Sequence, residues 1–381
     1  MCMFGRRMRG LVSDERTLYG RQPELDVVRG LSVLLMVGAH VFNQFTPLSV
    51  ESAATGDAFS GLANLTGAFP GGAQCFMMVM GILLLFSTHP DGKGVMRRGV
   101  LLIIGGFVLE FLRILPGLVN LMMTGNLVSF YPEYAYAEDW QLIVITLFWQ
   151  DILIFAGMAL IIMGAVMRFD VSDVWVIAIV IAMMVANLFL SGMDTGSDPL
   201  NIFLGYFWGT TVFDGYMTTS RFPLFSWFVY PAAGYLIGKW LVRARSKGRF
   251  YKTLGLSFLL LSVPFAVIGA FTGMFESGFT GLGFYHQGML INIWCTLLSF
   301  DWIALIYFVS KKVPERYLAH TYRWSRNITW IYVLHFVILA IAIQFLPRSF
   351  GIIGCFVIFL ALFVLVDWLS WAIRGRVGRG A

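Results

Sequence analysis

Charge is scarce in this chain. Only 13% of its 381 residues are Asp, Glu, Lys or Arg, about half the roughly 25% of an ordinary soluble domain. Beside 58% hydrophobic residues and a mean hydropathy of +0.77, that shortage excludes a soluble enzyme. Cysteine is sparse too. Cys2, Cys75, Cys295 and Cys355 show no CxxC or ligand-like spacing, so neither disulfides nor a zinc site is expected. The short alternating strands of a membrane β-barrel are missing, and an aromatic content of 16% is foreign to a disordered chain. No internal repeat is evident. The first apolar run carries charge and follows Arg6, Arg7, Arg9, Arg16 and Arg21, unlike a cleavable signal peptide.

What is present is a series of apolar runs of about 20 residues, the length a helix needs to cross a hydrocarbon layer roughly 30 Å thick. Ten spans are predicted, at 25–45, 67–88, 95–116, 140–166, 171–192, 223–243, 252–274, 287–310, 328–346 and 349–373. The fold class is therefore all-α, a polytopic bundle of about ten transmembrane helices. With the N-terminus inside, most of the 27 Lys and Arg residues fall in inner segments, while only Arg221 and Arg348 fall in outer loops. The positive-inside rule thus puts both termini in the cytoplasm. The expected domains are a basic N-terminal segment (1–24), a transmembrane domain (25–374) and a basic tail (375–381). The chain's net charge of +6 reads as topology and contact with anionic headgroups of a cytoplasmic membrane, taken as prokaryotic, with no nucleic acid as partner. The longest outer segments, 46–66, 117–139 and 193–222, are candidates for binding loops, although interfacial anchoring explains their aromatics equally.

Polar groups inside spans are costly and point to function. In LDVVRGLSVLLMVGAHVFNQF, residues Asp26, Arg29, Ser32, Met36, His40 and Asn43 recur at steps of three or four and share one helix face. Arg29 and His40 are eleven positions apart, about 16 Å along the axis. Imidazole can take a proton near neutral pH, and the Asn43 amide one turn on could fix its tautomer. Arg29 can instead snorkel to the interface beside Asp26, and His40 can be a packing hydrogen bonder.

RGLSVLLMVGAH, an arginine followed after ten residues by histidine, resembles the signature of the transmembrane acyltransferases. That superfamily holds the acyltransferase-3 proteins and the heparan-α-glucosaminide N-acetyltransferase-like group. FPGGAQCFMMVMGILLLFS, RFPLFSWFVYPAAGYLIGKWL and SRNITWIYVLHFVI resemble later helices of the second group, in order along the chain. The resemblance implies transfer of an acyl group, acetyl by family likeness, from cytoplasmic acyl-CoA as co-substrate to a hydroxyl or amine of a sugar-containing or lipid-linked acceptor on the other side. His40 would be general base or acyl carrier, with Asn43 beside it. Arg29, Arg97, Arg98 and Arg326 could meet the phosphates of the donor, with Asp26 near Arg29. Asn327, Tyr332 and His335 would form a polar inner vestibule for it. Neither metal nor haem is expected, and a homodimer is left open.

Other charges have two readings each. Glu110 and Arg113 can pair on one helix face or meet an acceptor. Asp151 has no local partner, so it either pairs with an arginine elsewhere or belongs to the site. Outside, Arg221 and His286 are acceptor contacts or plain loop residues, and Asp301 and Asp367 are expected to pair with the inner basic loops. His335 is placed about 10 Å lower than His40 unless tilt closes the gap. That offset counts against the competing reading, a b-type haem held by two histidines. A multi-pass transporter is the other alternative, disfavoured by the lack of a two-half repeat.

Overall fold

The computed structural model describes residues 11–45, 71–87, 91–125, 138–213, 217–218, 220–273, 281–347 and 349–377. Arg6, Arg7, Arg9, segment 46–66, His89, Arg348 and the end of the basic tail lie outside the described residues. Fifteen helices follow one another among the described residues: α1 (Pro23–Phe45), α2 (Ala73–Leu84), α3 (Gly92–Thr124), α4 (Asp139–Leu147), α5 (Ile152–Arg168), α6 (Asp173–Leu190), α7 (Asp198–Trp208), α8 (Leu224–Trp227), α9 (Val229–Leu241), α10 (Lys247–Phe271), α11 (Gly281–Tyr285), α12 (Met289–Ser310), α13 (Glu315–Arg326), α14 (Ile328–Ala342) and α15 (Ile352–Val377). A two-residue antiparallel ladder, β1 (Thr211–Val212) with β2 (Met217–Thr218), is an ornament on a helical protein.

Each predicted span contains a helix, but fewer are complete crossings. Six helices, α1, α3, α6, α10, α12 and α15, are long and apolar enough to span, and a seventh arises if α13 and α14, bent by 73°, form one span. The excess over these comes from three places where composition is apolar and the chain is not one long helix. α2 and α9 have only 12 and 13 residues, about 18–20 Å of rise. The 140–166 run is broken between α4 and α5, because Asp151 turns its carboxylate back to accept the Ile152 amide at 2.6 Å and cap α5. Gln150 at the break leaves helical pairing for Arg221, whose amide donates to its carbonyl at 3.1 Å. By contrast α3 runs past its predicted end, to Thr124, before Gly125 in the left-handed region (φ 71°) closes it.

Small residues set the packing. α3 and α5 approach through Gly92, Gly99 and Gly106 on one side and Gly157 and Gly164 on the other. A Cβ added at Gly99 would stand 2.5 Å from the Gly157 carbonyl oxygen, and one at Gly157 would stand 2.5 Å from that of Gly99. Such contacts bring helix backbones together where lipid offers no hydrophobic drive. α1 packs against α2, α12, α13, α14 and α15, and Ser32 on its polar stripe is buried while Asn43 at the stripe's end is exposed.

Candidate functional site

The stripe on α1 meets α14 at one point. His40 Nδ1 lies 2.9 Å from His335 Nε2, the two rings nearly parallel at 3°. The expected 10 Å offset in depth is therefore corrected, because α14 begins only after the sharp bend at Asn327 and its axis brings His335 level with His40. His335 is fully buried, whereas His40 keeps part of its surface open. The depth argument against a bis-histidine haem falls with the offset. His335 has both ring nitrogens engaged, Nδ1 with the Ile331 carbonyl at 3.0 Å and Nε2 with His40.

Around the pair stands a charge cluster. Arg113 Nη1 lies 2.9 and 3.0 Å from the two oxygens of Glu110 on its own helix and 3.4 Å from Asp151 Oδ2. Both readings of Glu110 and Asp151 thus meet in one residue: Glu110 has its local pair, and Asp151 has its distant arginine. The Arg113 guanidinium sits 4.4 Å over the Phe336 ring, which in turn lies 4.5 Å from His40 and 4.2 Å from His335. Phe336 connects cation and imidazoles, and as an apolar residue in an apolar run it gave no signal in sequence. The Tyr332 hydroxyl has no hydrogen-bond partner in ordinary geometry, and Asp151 is the acid that faces it.

Arg221 approaches from the other side, stacked 4.4 Å over Trp149 and 5.1 Å over Tyr285. His286 is not a plain surface residue. Its Nε2 donates to the Ser220 carbonyl at 2.7 Å, its ring covers Gly209, and burial holds its imidazole below the ordinary value. It clamps two segments beside Arg221 rather than reaching His40.

A cavity of about 260 Å³ runs between α1, α2, α3, α5 and α14. Arg29 and Arg98 line it, as do Ser32, Met36, Thr329 and Tyr332. Met36 is one turn from His40, about 6 Å along the helix, so the cavity stops just short of the histidine pair. Apart from the arginines its wall is chiefly apolar, with Met77, Met80, Leu102 and Ala156 among the lining residues.

Other expectations are redistributed. Asp26 pairs with Arg21 at 2.5 Å and accepts the Ser325 hydroxyl at 2.9 Å, so it joins α1 to α13 and does not line the cavity. Arg97 points outward, one residue from Arg98. Arg326 is exposed and its carbonyl accepts from Arg374. Asn327 is buried: its oxygen accepts from Arg374 at 3.1 Å and its amide donates to Ser370 at 3.4 Å. Asn43 is exposed, and the ring partner of His40 is His335, so the amide does not set the tautomer. Asp367 finds Arg323 as expected, while Asp301 has no hydrogen-bond partner for either oxygen. Among the described residues no group of three or more His, Cys, Asp or Glu side chains could hold a metal ion.

The family model described as "Heparan-alpha-glucosaminide N-acetyltransferase, catalytic" matches residues 21–272. No curated protein and no solved structure matches the chain.

Proposed function

As a member of the heparan-alpha-glucosaminide N-acetyltransferase catalytic family, the chain is a membrane acetyltransferase, and we propose that it moves the acetyl group of acetyl-CoA to a hydroxyl or amine of a sugar-containing acceptor, with His40 as general base. The observation that carries this reading is the cavity that begins at two arginines and ends one helical turn short of His40. Guanidinium groups suit phosphates, which they bind through several donors in a plane. An apolar passage suits the pantetheine arm and excludes the water that would hydrolyse a thioester.

The chemistry needs one proton moved twice. The lone pair of His40 takes the proton of the acceptor hydroxyl or amine as its oxygen or nitrogen bonds to the thioester carbonyl carbon. The C–S bond then breaks, and the departing thiolate recovers the proton from the imidazolium. Beside the histidine pair, Arg113 and Arg221 keep part of their surface open and can orient acceptor hydroxyls, while the buried Glu110 and Asp151 hold Arg113 in place. The Trp149 and Tyr285 faces beside Arg221 suit the apolar side of a sugar ring. In this reading the arginine-lined mouth is cytoplasmic, by the positive-inside rule, and Arg221 and His286 lie toward the acceptor side.

The test is release of free thiol from acetyl-CoA by the purified chain in detergent, for wild type and His40→Ala, with a panel of amino sugars and lipid-linked sugars. Release that needs an acceptor and vanishes in a folded His40→Ala supports the reading. A wild type that neither binds acetyl-CoA nor releases thiol overturns it.

A further inference from the structure

The two histidines are not equivalent. His335 is completely buried and His40 is not, so only His40 can meet a substrate. Their hydrogen bonds also have a direction. The Ile331 carbonyl can only accept, so the His335 Nδ1 that faces it at 3.0 Å carries a hydrogen. A neutral imidazole with a hydrogen on Nδ1 has a bare Nε2, and that nitrogen is the one 2.9 Å from His40 Nδ1. His40 must then donate through Nδ1, which leaves its own lone pair on Nε2. The reverse assignment would require a charged, fully buried imidazolium at His335, a costly species.

Within the acyl-transfer reading, on which the inference rests, we infer that His335 is the positioning residue for His40. Its imidazole accepts the Nδ1 hydrogen of His40 and thereby fixes Nε2 as the nitrogen that takes the acceptor's proton. Position 335 therefore does the work that a carboxylate does in a serine–histidine–aspartate triad, but with a neutral group. Neutrality suits the surroundings. The charged groups around the pair are Arg113 from α3, Asp151 from the α4–α5 break and Arg221 from the far wall, with Glu110 held on Arg113. A carboxylate at position 335 would add a negative charge beside the pair and make His40 a stronger base but a poorer acid toward the leaving thiolate. Tyr332 and Phe336, at 5.4 and 4.2 Å from the His335 ring, hold it on two sides against rotation.

The test uses the full chain in nanodiscs. Nitrogen-15 NMR of histidine-labelled protein, with His40→Gln and His335→Gln spectra to assign the signals among five histidines, reads which ring nitrogens carry hydrogen. The expected result is hydrogen on Nδ1 of both residues at neutral pH. In thiol-release kinetics, His335→Phe should lower kcat by up to about 10⁴-fold, the loss when a catalytic histidine is left in the wrong tautomer, with KM for acetyl-CoA within twofold. His335→Gln, whose amide oxygen can still accept from His40, should recover most of that loss. His335→Asp should move the acidic limb of the kcat–pH profile upward. Hydrogen on Nε2 of His40, or a His335→Phe defect confined to KM, overturns the positioning role. A wild type that releases no thiol while showing the expected tautomers would sink the acyl-transfer reading instead, and His335's part in that reaction with it.

Discussion

Arg113 reaches across from α3 to Asp151 at the head of α5, with Nη1 3.4 Å from Oδ2, while the same nitrogen holds Glu110 on its own helix. One cation thus serves two acids, and Glu110 is entirely buried.

Removing that cation strands two carboxylates. Arg113→Met should destabilise the protein by about 3–5 kcal/mol, the usual effect of breaking a buried ion pair from one side. Adding Glu110→Gln to Arg113→Met should recover a large part of the loss. Thermal unfolding in detergent measures both, and a double variant no more stable than the single one would refute the account.

The α3–α5 contact makes a sharper demand on size. Gly99→Val and Gly157→Val each drive a side chain into the facing carbonyl and should cost about 1–3 kcal/mol or more through overpacking. Gly105→Val, where an added Cβ meets nothing within 4 Å, is the control and should leave unfolding unchanged. Equal effects at positions 99 and 105 would show that the close approach is not what those glycines serve.

A variant at Arg29 would separate phosphate recognition from the rest of the proposed donor binding. Arg29→Gln should raise KM for acetyl-CoA about tenfold, about 1.4 kcal/mol. A short acetyl thioester without phosphates should be turned over equally by variant and wild type. If the variant loses both substrates alike, the arginine acts on the fold or on the chemistry and not on phosphate.

His286 gives the Ser220–Gly209 contact a pH dependence whose sign is set by burial. Its folded imidazole titrates below the ordinary value, near 6.5 for the free group, so the undocked state binds the proton more readily. Docking is complete above about pH 6.5 and weakens as pH falls below it. Hydrogen exchange at Gly209 and Arg221 should accelerate between pH 7.5 and 5 beyond the intrinsic pH effect, and His286→Gln should remove that excess. Slower corrected exchange in acid would contradict the assignment.

How much of this was legible in the sequence follows from what each signal encodes. The α1 stripe could be read because period and polarity coincide in one helix, and its members Arg29, Ser32 and Met36 do line one cavity. The α4–α5 break could not, since hydropathy counts Gln150 and Asp151 as two polar residues in an apolar run and is blind to a carboxylate capping the helix behind it. His335 was placed too low because rise per residue fixes depth only for a helix parallel to its neighbour, and the 73° bend before α14 removes that premise. Asn43 looked like a partner for His40 by proximity in sequence, yet the partner came from 295 residues away.

The glycines of α3 and α5 also fix how the cluster can move. Gly92, Gly99 and Gly106 repeat every seven residues, as do Gly157 and Gly164 across from them, so the two helices mesh like a rack with teeth about 10.5 Å apart. Small slides would drive carbonyls into side chains, and the next matching register is two full turns away. Arg113 and the α5 start at Asp151 are carried on that rack, so a slide of one helix along the other would shift the two partners together with the glycine contacts. The histidine pair, by contrast, joins α1 to α14, outside that glycine contact.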